Sequence, residues 1–487
     1  MSSESMQRET MSASYSSEQE RYYERLKLIF LWIAFFFLIG SYTVIRELRD
    51  SIFAFIVGRE YISYAKTITM FGFIPAIFLY SKLVDKMRRY YLLCAYSAFY
   101  AISGLIFAYF LGDPIVGIPN TSTSPDRVIG WLFYFFVEGF SPFVVSVFWA
   151  FLNSVSSPET AKNYGFLVSG SKLGGMLASA SAWYFLGRVT ATGQPFYSDT
   201  ANHQILILIS SSLLLCVPIA ILWMMKKVPG RFLHGYEAVY QVEKEKMKHG
   251  EAETGIFAGL KMLIKYPYVL GIFGMVFFYE VVTTVLSVMR VGIAQDSTSS
   301  MSGASAYLFA VIFVTHALGF LVSLLGTGAL VRYFGEKRCL MLIPISSGLM
   351  LAYFMMSYTE LFAFCTNANA LMIGYIGLKA INYAFSYPVR ESLYIPTVKE
   401  IKFKSKSWID AFGSKFGKTT GATFNMFANW AGQAAFFTVH VGFFGLVTLL
   451  WLLTAYLLGR RFEQAVSNNE VIGVDDDSVH SDTVTAE

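Results

Sequence analysis

Residues Leu28–Ile45 read LIFLWIAFFFLIGSYTVI, an uncharged and continuously apolar stretch. A bilayer core of about 30 Å is crossed by about 20 helical residues, and this stretch comes close to that length. Only helices and closed barrels satisfy every backbone polar group within lipid. Because the apolar residues form an unbroken run and do not alternate with polar ones, the stretch predicts a transmembrane helix.

The rest of the chain has the same character. Of its 487 residues, 55% are hydrophobic and 15% are charged, whereas soluble domains carry about 25% charged residues. Apolar stretches of spanning length recur along the chain, and they predict an all-α membrane protein with twelve transmembrane helices. The predicted spans are 28–46, 61–80, 91–111, 129–152, 165–187, 203–225, 268–289, 304–327, 339–357, 368–388, 408–431 and 438–458.

The loops between these spans alternate in basic charge. Lys and Arg concentrate after the second, sixth, eighth and tenth spans, whereas 112–127 contains one basic residue and 291–303 contains none. Cytosolic loops carry the excess of Lys and Arg, so both termini are predicted to be cytosolic. The polar N-terminal tail has no apolar segment with a cleavage site, and we do not expect it to be a signal peptide.

A charged linker divides the spans into two sets of six. The predicted organisation is a cytosolic tail (1–26), an N-terminal six-helix half (27–225), a cytosolic linker (226–266), a C-terminal six-helix half (267–459) and an acidic cytosolic tail (460–487).

A glycine- and lysine-containing motif occurs once in each half, as GSKLGG at Gly170–Gly175 and GSKFGKTTG at Gly413–Gly421. The second copy resembles a phosphate-binding P-loop, but that motif needs one more residue between its glycines than this chain has. The offset between the copies is 413 − 170 = 243. It is close to the offset between Asp85 and Arg332, which occupy matching positions in two basic segments, 332 − 85 = 247. We therefore expect two related repeats, in which the glycines allow close helix packing.

Those basic segments, SKLVDKMRR at 81–89 and GALVRYFGEKR at 328–338, resemble the loop signature of the major facilitator superfamily. The match is degenerate, because Ser81 replaces a glycine in the first copy and Arg332 replaces an acid in the second. That superfamily places its substrate site near the membrane midplane between two six-helix halves. The resemblance therefore implies a major facilitator-like fold with a central site.

Ionisable residues inside the predicted spans are candidates for function, because each costs about 2.5–3.5 kcal/mol on insertion scales. The basic side chains among them outnumber the acidic ones, and such a surplus predicts an anionic substrate, since Lys and Arg bind phosphate through charge-assisted hydrogen bonds. The candidate substrate-binding residues are Arg46, Arg49, Glu138, Lys172, Glu280, Lys415, Lys418 and Asn425.

Several of these residues also have a simpler interpretation. Lys172 and its neighbouring glycines can serve helix packing alone. Glu138 and Glu280 can be buried partners of basic residues, or they can be a proton or counter-ion site. Arg46 and Arg49 can extend towards the membrane interface. Composition and spacing leave these alternatives open.

Longer motifs, in order along the chain, resemble the ATP/ADP antiporters, which are the nucleotide transport proteins of obligate intracellular bacteria and plastids. The similar segments are YTVIRELRD at 42–50, FVEG at 136–139, ETAKNY at 159–164, VRESLYIPT at 389–397, KFKSKSWID at 402–410 and Gly417-Lys418. The resemblance covers nearly all of residues 27–460. It implies exchange of ATP for ADP plus phosphate, or proton-linked import of other nucleotides.

The resemblance also implies site residues. The charged residues on which the family relies fall on Arg49, Glu138, Glu280 and Lys418. Arg49 departs from the family, which prefers lysine there, and Arg390 also replaces a lysine. Such changes keep the charge but alter the geometry of phosphate binding, so the nucleotide remains open.

We therefore expect an alternating-access transporter of nucleotides, with exchange of ATP and ADP (plus phosphate) as the first hypothesis. A proton-coupled symporter of other nucleotides or of another organic anion is the alternative, and a non-transporting membrane protein is a third. No nucleophile–base pair or metal-ligand spacing occurs in the sequence, so we expect no enzyme, cofactor or metal site.

The formal net charge of +5 is weak for a nucleic-acid binder. The expected partners are nucleotide, phosphate or protons, and the lipid bilayer, and the protein is expected to be a monomer. The resemblance implies a multi-pass protein of a bacterial inner membrane or, alternatively, of a plastid envelope.

Overall fold

The computed structural model describes residues 17–155, 164–189, 195–233, 256–325, 333–359, 366–382, 386–398, 401, 405–409, 413–432 and 435–473. Asp410, the basic segment 402–404 and the outer parts of both tails lie outside the described residues. Helices dominate the described part of the chain, and they overlap every span predicted from the sequence.

The N-terminal half begins with a long helix, and one of its later helices is interrupted by a π-helical turn. Its helices are α1 (Ser17–Phe53), α2 (Ile62–Lys86), α3 (Arg89–Leu111), α4 (Val128–Glu138), α5 (Ser146–Val155), α6 (Tyr164–Leu186) and α7 (Asp199–Lys227). A π-helical turn, Ser141–Val145, joins α4 to α5 with Pro142 near its start. Because proline cannot donate the helical hydrogen bond, the helix is interrupted just after Glu138.

The rest of the described chain is also helical, and its first helix, α8, lies within the predicted linker. Its helices are α8 (Ile256–Lys265), α9 (Pro267–Asp296), α10 (Met301–Leu325), α11 (Glu336–Met356), α12 (Asn367–Ile381), α13 (Tyr387–Ser392), α14 (Lys406–Trp408), α15 (Ser414–Ala431) and α16 (Phe436–Ser467). Across both halves, 8 helical stretches of the described residues are long and apolar enough to cross a membrane. The chain is thus a helical multi-pass membrane protein, while the total of twelve spans remains a prediction.

The two glycine motifs occupy equivalent helices. Gly174 of α6 contacts α1, where an added Cβ would overlap the carbonyl oxygen of Phe36, and a Cβ at Gly417 of α15 would lie 2.8 Å from the carbonyl oxygen of Phe277 in α9. The helix offsets, 417 − 174 = 243 and 277 − 36 = 241, match the repeat predicted from the sequence. Gly413 has helical backbone angles (φ −60°, ψ −44°), so this segment opens a helix and forms no phosphate loop.

Each half has its own apolar core. One cluster of buried side chains fills the N-terminal half from Leu31 to Leu233, and it also takes in a few residues of α9 and α10. Two further clusters fill the C-terminal half, one around Trp451 and one around Phe354. Most buried apolar side chains therefore pack within one half, and the residues of α9 and α10 in the first cluster connect the two halves.

Polar contacts join the halves at the end of the bundle where α1 and α9 terminate, which we call the far end. Asp199 at the start of α7 accepts hydrogen bonds from the backbone N–H groups of Met301 (3.1 Å) and Ser302 (2.9 Å), at the start of α10. Arg59 pairs with Asp296 at 2.6 Å. The N–H groups at a helix start attract a carboxylate, so Asp199 links α7 to the start of α10 across the two halves.

Candidate functional site

A buried carboxylate joins the two halves of the bundle. Glu138, the last residue of α4, forms ion pairs with Arg49 of α1 and with Lys415 of α15, and the Lys415 Nζ–Glu138 Oε1 distance is 3.0 Å. Lys418, one turn further along α15, lies 3.9 Å from the same oxygen. The Arg49 and Glu138 side chains are 7% and 9% exposed. One anion therefore serves three cations, two of which belong to the other half.

Local structure explains this convergence. Lys415 and Lys418 are three residues apart and therefore share one face of α15. The close approach of Gly417 to α9 seats α15 against its own half, and the lysine face remains directed at α4. On α4, Tyr134 lies one turn before Glu138, and the Arg49 guanidinium lies over its ring at 4.6 Å. The aromatic face and the carboxylate together hold the guanidinium in place.

Two further charged residues complete this group. Asp50 Oδ1 lies 2.7 Å from Arg49 Nη2. Lys66 of α2 interacts electrostatically with Arg49, Asp50 and Glu138, and its ammonium lies 6.0 Å from the centre of the Tyr134 ring. We call the group the Glu138 cluster, and its members are Arg49, Asp50, Lys66, Glu138, Lys415 and Lys418.

The Glu138 cluster has more positive than negative charge. It contains four cations and two carboxylates, and a surplus of this kind in a buried region attracts an anion. The basic side chains come from α1, α2 and α15, so the charges surround a common region between the halves. This geometry suits a polyanion such as a chain of phosphates, because each phosphate offers several strong acceptor oxygens.

Glu280 lies beside this cluster. Its Oε1 accepts a hydrogen bond from Ser414 Oγ at 3.1 Å, and it interacts electrostatically with Lys418. Ser414 is the first residue of α15, so the bond ties the start of α15 to α9. Glu280 thereby contacts the site through Lys418, whereas Glu138 contacts the cations directly.

The other predicted site residues lie elsewhere. Arg46 and Lys172 both interact electrostatically with His316 of α10, and Arg46 donates to Glu47 at 2.9 Å. Asn425 is 5% exposed, and it lies four residues after Gly421, which packs against Val281 of α9. The structure thus brings Arg49, Glu138, Lys415, Lys418 and Glu280 together, and it does not place the other three against Glu138.

Sequence reasoning missed Lys66 and undervalued Asp50. Lys66 is the one charge in the predicted span 61–80, and that isolation was the signal that could have identified it. Asp50 stands near the predicted end of its span, where a charge is ordinary. Its place in the Glu138 cluster depends on the rotation of α1, which the sequence does not show.

Comparison with solved structures shows the fold. The structure is similar to the D-xylose-proton symporter, with a TM-score of 0.61 and 14% identity over 90% of this chain and 97% of that one. It is also similar to the inward open conformation of the xylose transporter XylE from E. coli, with a TM-score of 0.58 and 14% identity over 88% of this chain and 94% of that one. These similarities confirm the major facilitator-like fold.

Sequence comparison identifies the family. The chain is 23% identical to ADP,ATP carrier protein 1 of Rickettsia bellii, over 95% of this chain and 99% of that protein. It is 25% identical to the chloroplastic ADP,ATP carrier protein 1 of Arabidopsis thaliana, over 91% of this chain and 75% of that protein. The model of the TLC ATP/ADP transporter family matches residues 129–462, which is more than half of the chain. The chain therefore belongs to the TLC ATP/ADP transporter family.

Proposed function

We propose that this protein exchanges ATP and ADP across a membrane by alternating access, and that the Glu138 cluster binds the phosphates. The observation that carries the proposal is the surplus of buried positive charge held between the two halves by one carboxylate. Family membership and the names of the relatives, which are ADP,ATP carriers, support the choice of nucleotide.

The cross-half pair between Glu138 and Lys415 suggests why transport takes the form of exchange. When the halves rock, this pair separates, and an empty carrier leaves buried charges without partners. Breaking a buried ion pair costs about 3–5 kcal/mol. Phosphates bound to Arg49, Lys415 and Lys418 replace the carboxylate and remove this cost, so the loaded carrier reorients and the empty one does not.

The proposed membrane orientation rests on the charge of the loops and on the contacts between the halves at the far end. Basic loops lie at the opposite end of the bundle, and basic loops face the cytosol. We propose that both termini are cytosolic, that the far end faces outwards, and that the structure is closed to the outside. We also propose that the chain consists of two six-helix halves joined by a linker and that the protein is a monomer. Reporter fusions at either terminus test the orientation.

Uptake measurements test the function. Cells or proteoliposomes containing the full chain receive labelled ATP, ADP, GTP, NAD or phosphate, with and without ADP loaded inside. Exchange predicts ATP uptake that depends on internal ADP, and labelled phosphate shows whether it accompanies ADP. Uptake that is independent of internal nucleotide but depends on a proton gradient favours the symporter alternative. For that alternative, the buried Glu138 is a suitable proton carrier.

A lysine substitution tests the site. Lys418→Ala removes one of the three cations that Glu138 contacts, and we expect ATP uptake to fall to background at normal expression. The matched control is Lys337→Ala, since Lys337 pairs with the exposed Glu463 at 3.0 Å on the bundle surface. Normal uptake by the Lys418 variant removes that residue from the substrate site.

A further inference from the structure

The two halves present matching arginines to the region between them. Arg49 of α1 lies over the Tyr134 ring at 4.6 Å, and Arg290 of α9 lies over the Tyr375 ring at 4.7 Å. The repeat offset is the same for both residues, because 290 − 49 and 375 − 134 each equal 241. Arg290 is thus the counterpart of Arg49 in the C-terminal half.

Arg290 has hydrogen-bonding capacity that the protein leaves unused. The side chain is 1% exposed, and its Nη2 lies 2.8 Å from Glu47 Oε2. Its Nε and Nη1 atoms have no hydrogen-bond partner within the part of the chain that the structure describes. A guanidinium carries five N–H donors, and buried donors without an acceptor are costly. The arrangement suits an acceptor-rich ligand.

The surroundings of Arg290 differ from those of Arg49 in one important way. At the position equivalent to Glu138, the C-terminal half has Lys379, since 379 − 138 = 241. The Lys379 ammonium lies 5.4 Å from the centre of the Tyr279 ring and 5.8 Å from that of Tyr375. A second cation therefore stands where the N-terminal half has its neutralising carboxylate.

One carboxylate lies between the two arginines. Asp50 Oδ1 is 2.7 Å from Arg49 Nη2, and Asp50 Oδ2 is 3.9 Å from Arg290 Nη2. Asp50 is thus the carboxylate that both guanidinium groups share, in addition to Glu138 for Arg49 and Glu47 for Arg290. A chain of phosphates has acceptor oxygens on each successive group, so it can contact both arginines at once.

We propose that Arg290, together with Lys379, forms a second phosphate subsite, which binds the terminal phosphates of a nucleoside di- or triphosphate while Arg49 binds the neighbouring ones. This inference rests on the proposed function. Glu47 and Asp50 hold Arg290 in position, and the ligand occupies its unused Nε and Nη1 donors. Dependence on Arg290 therefore increases with the number of phosphates.

Nucleotide binding to the purified full-length chain tests this subsite, with labelled ATP, ADP and AMP as probes. Arg290→Lys keeps the charge and the partner of Glu47 but removes two guanidinium donors. The double variant Glu47→Gln/Arg290→Gln removes both charges of the buried pair, and the glutamine at position 47 keeps an acceptor oxygen for Arg46, whose side chain is 21% exposed. In both variants we expect ATP affinity to fall about tenfold or more, ADP affinity to fall less and AMP affinity to stay unchanged. A tenfold decrease is the size expected for the loss of a charge-assisted hydrogen bond.

The control is the double variant Arg461→Gln/Glu470→Gln, which removes an ion pair about 40% exposed between the end of α16 and the residues that follow it. All three affinities should stay unchanged. An equal decrease for ATP and AMP, or no decrease in either Arg290 variant, overturns the inference and leaves the Glu47–Arg290 pair as a structural contact. Failure of the unmodified protein to bind any of the three nucleotides instead overturns the proposed function, so the two failures are distinguishable.

Discussion

Replacing Glu138 by glutamine tests whether this carboxylate substitutes for the substrate phosphates in the empty carrier. The variant keeps the size of the side chain and one acceptor oxygen, but it removes the negative charge that serves Arg49, Lys415 and Lys418. Lys415 Nζ lies 3.0 Å from Glu138 Oε1, and the carboxylate is 9% exposed. Lys415 then loses its carboxylate partner, while among the described carboxylates Arg49 keeps only Asp50 and Lys418 keeps only Glu280.

The structure sets the size of the effect. At an effective dielectric constant of about 20, two unit charges 3.0 Å apart interact by about 5 kcal/mol, and removing one member of a buried pair costs about 3–5 kcal/mol. Bound phosphates restore the missing charge, so this cost applies mainly to the empty protein. At about 1.4 kcal/mol for each tenfold change, a cost of about 3–5 kcal/mol means that the variant should bind ATP about 100-fold to a few thousand-fold more tightly.

Two measurements on purified protein check this expectation. The midpoint of thermal unfolding without nucleotide should fall, and saturating ATP should raise it more in the variant than in the unmodified protein. Equilibrium binding of labelled ATP should show the higher affinity. The control is Glu463→Gln, which removes a surface carboxylate that is 54% exposed and is worth about 0–1 kcal/mol. If Glu138→Gln binds ATP no more tightly and the empty variant is as stable as the unmodified protein, the reasoning is refuted.

Three other predictions follow from the packing and the cross-half contacts. Gly174→Ala places a methyl group against the α1 backbone and should lower the free energy of unfolding by about 1–3 kcal/mol, measured by thermal unfolding. The control is Gly442→Ala, where the added methyl group has open space around it, and this change should be neutral or slightly stabilising. Asp199→Ala removes both acceptors for the start of α10 and should open the far end, which is measured as faster labelling of a cysteine introduced there. Asp113→Ala is the control, because its hydrogen bonds stay within one loop, and it should leave the labelling rate unchanged. Equal labelling rates in the two variants would contradict the role of the far-end contacts. Lys66→Gln removes one of the four cations of the Glu138 cluster and should weaken ATP binding about tenfold or more. An unchanged affinity for ATP would show that Lys66 does not contact the nucleotide.

The interior charges show how far the sequence can predict a site. Glu138 and the two lysines of α15 stood out because charged side chains are costly inside a membrane, and the structure places them in contact. Lys172 stood out for the same reason, yet it lies with Arg46 near His316. The cost of burial identifies a charged residue as unusual, but it does not identify the partner.

The sequence by itself determined the helical membrane architecture, the approximate positions of the spans and the duplication. These depend on local properties, because within lipid each apolar segment must satisfy its backbone hydrogen bonds internally, and a repeat preserves its spacing. Contacts between residues far apart in the chain were decided only by the tertiary structure. Glu138 and Lys415 are 277 positions apart. Their contact depends on the rotation of each helix and on the approach of the two halves. Residues on neighbouring turns share one helix face, but the sequence does not show which neighbouring helix that face contacts.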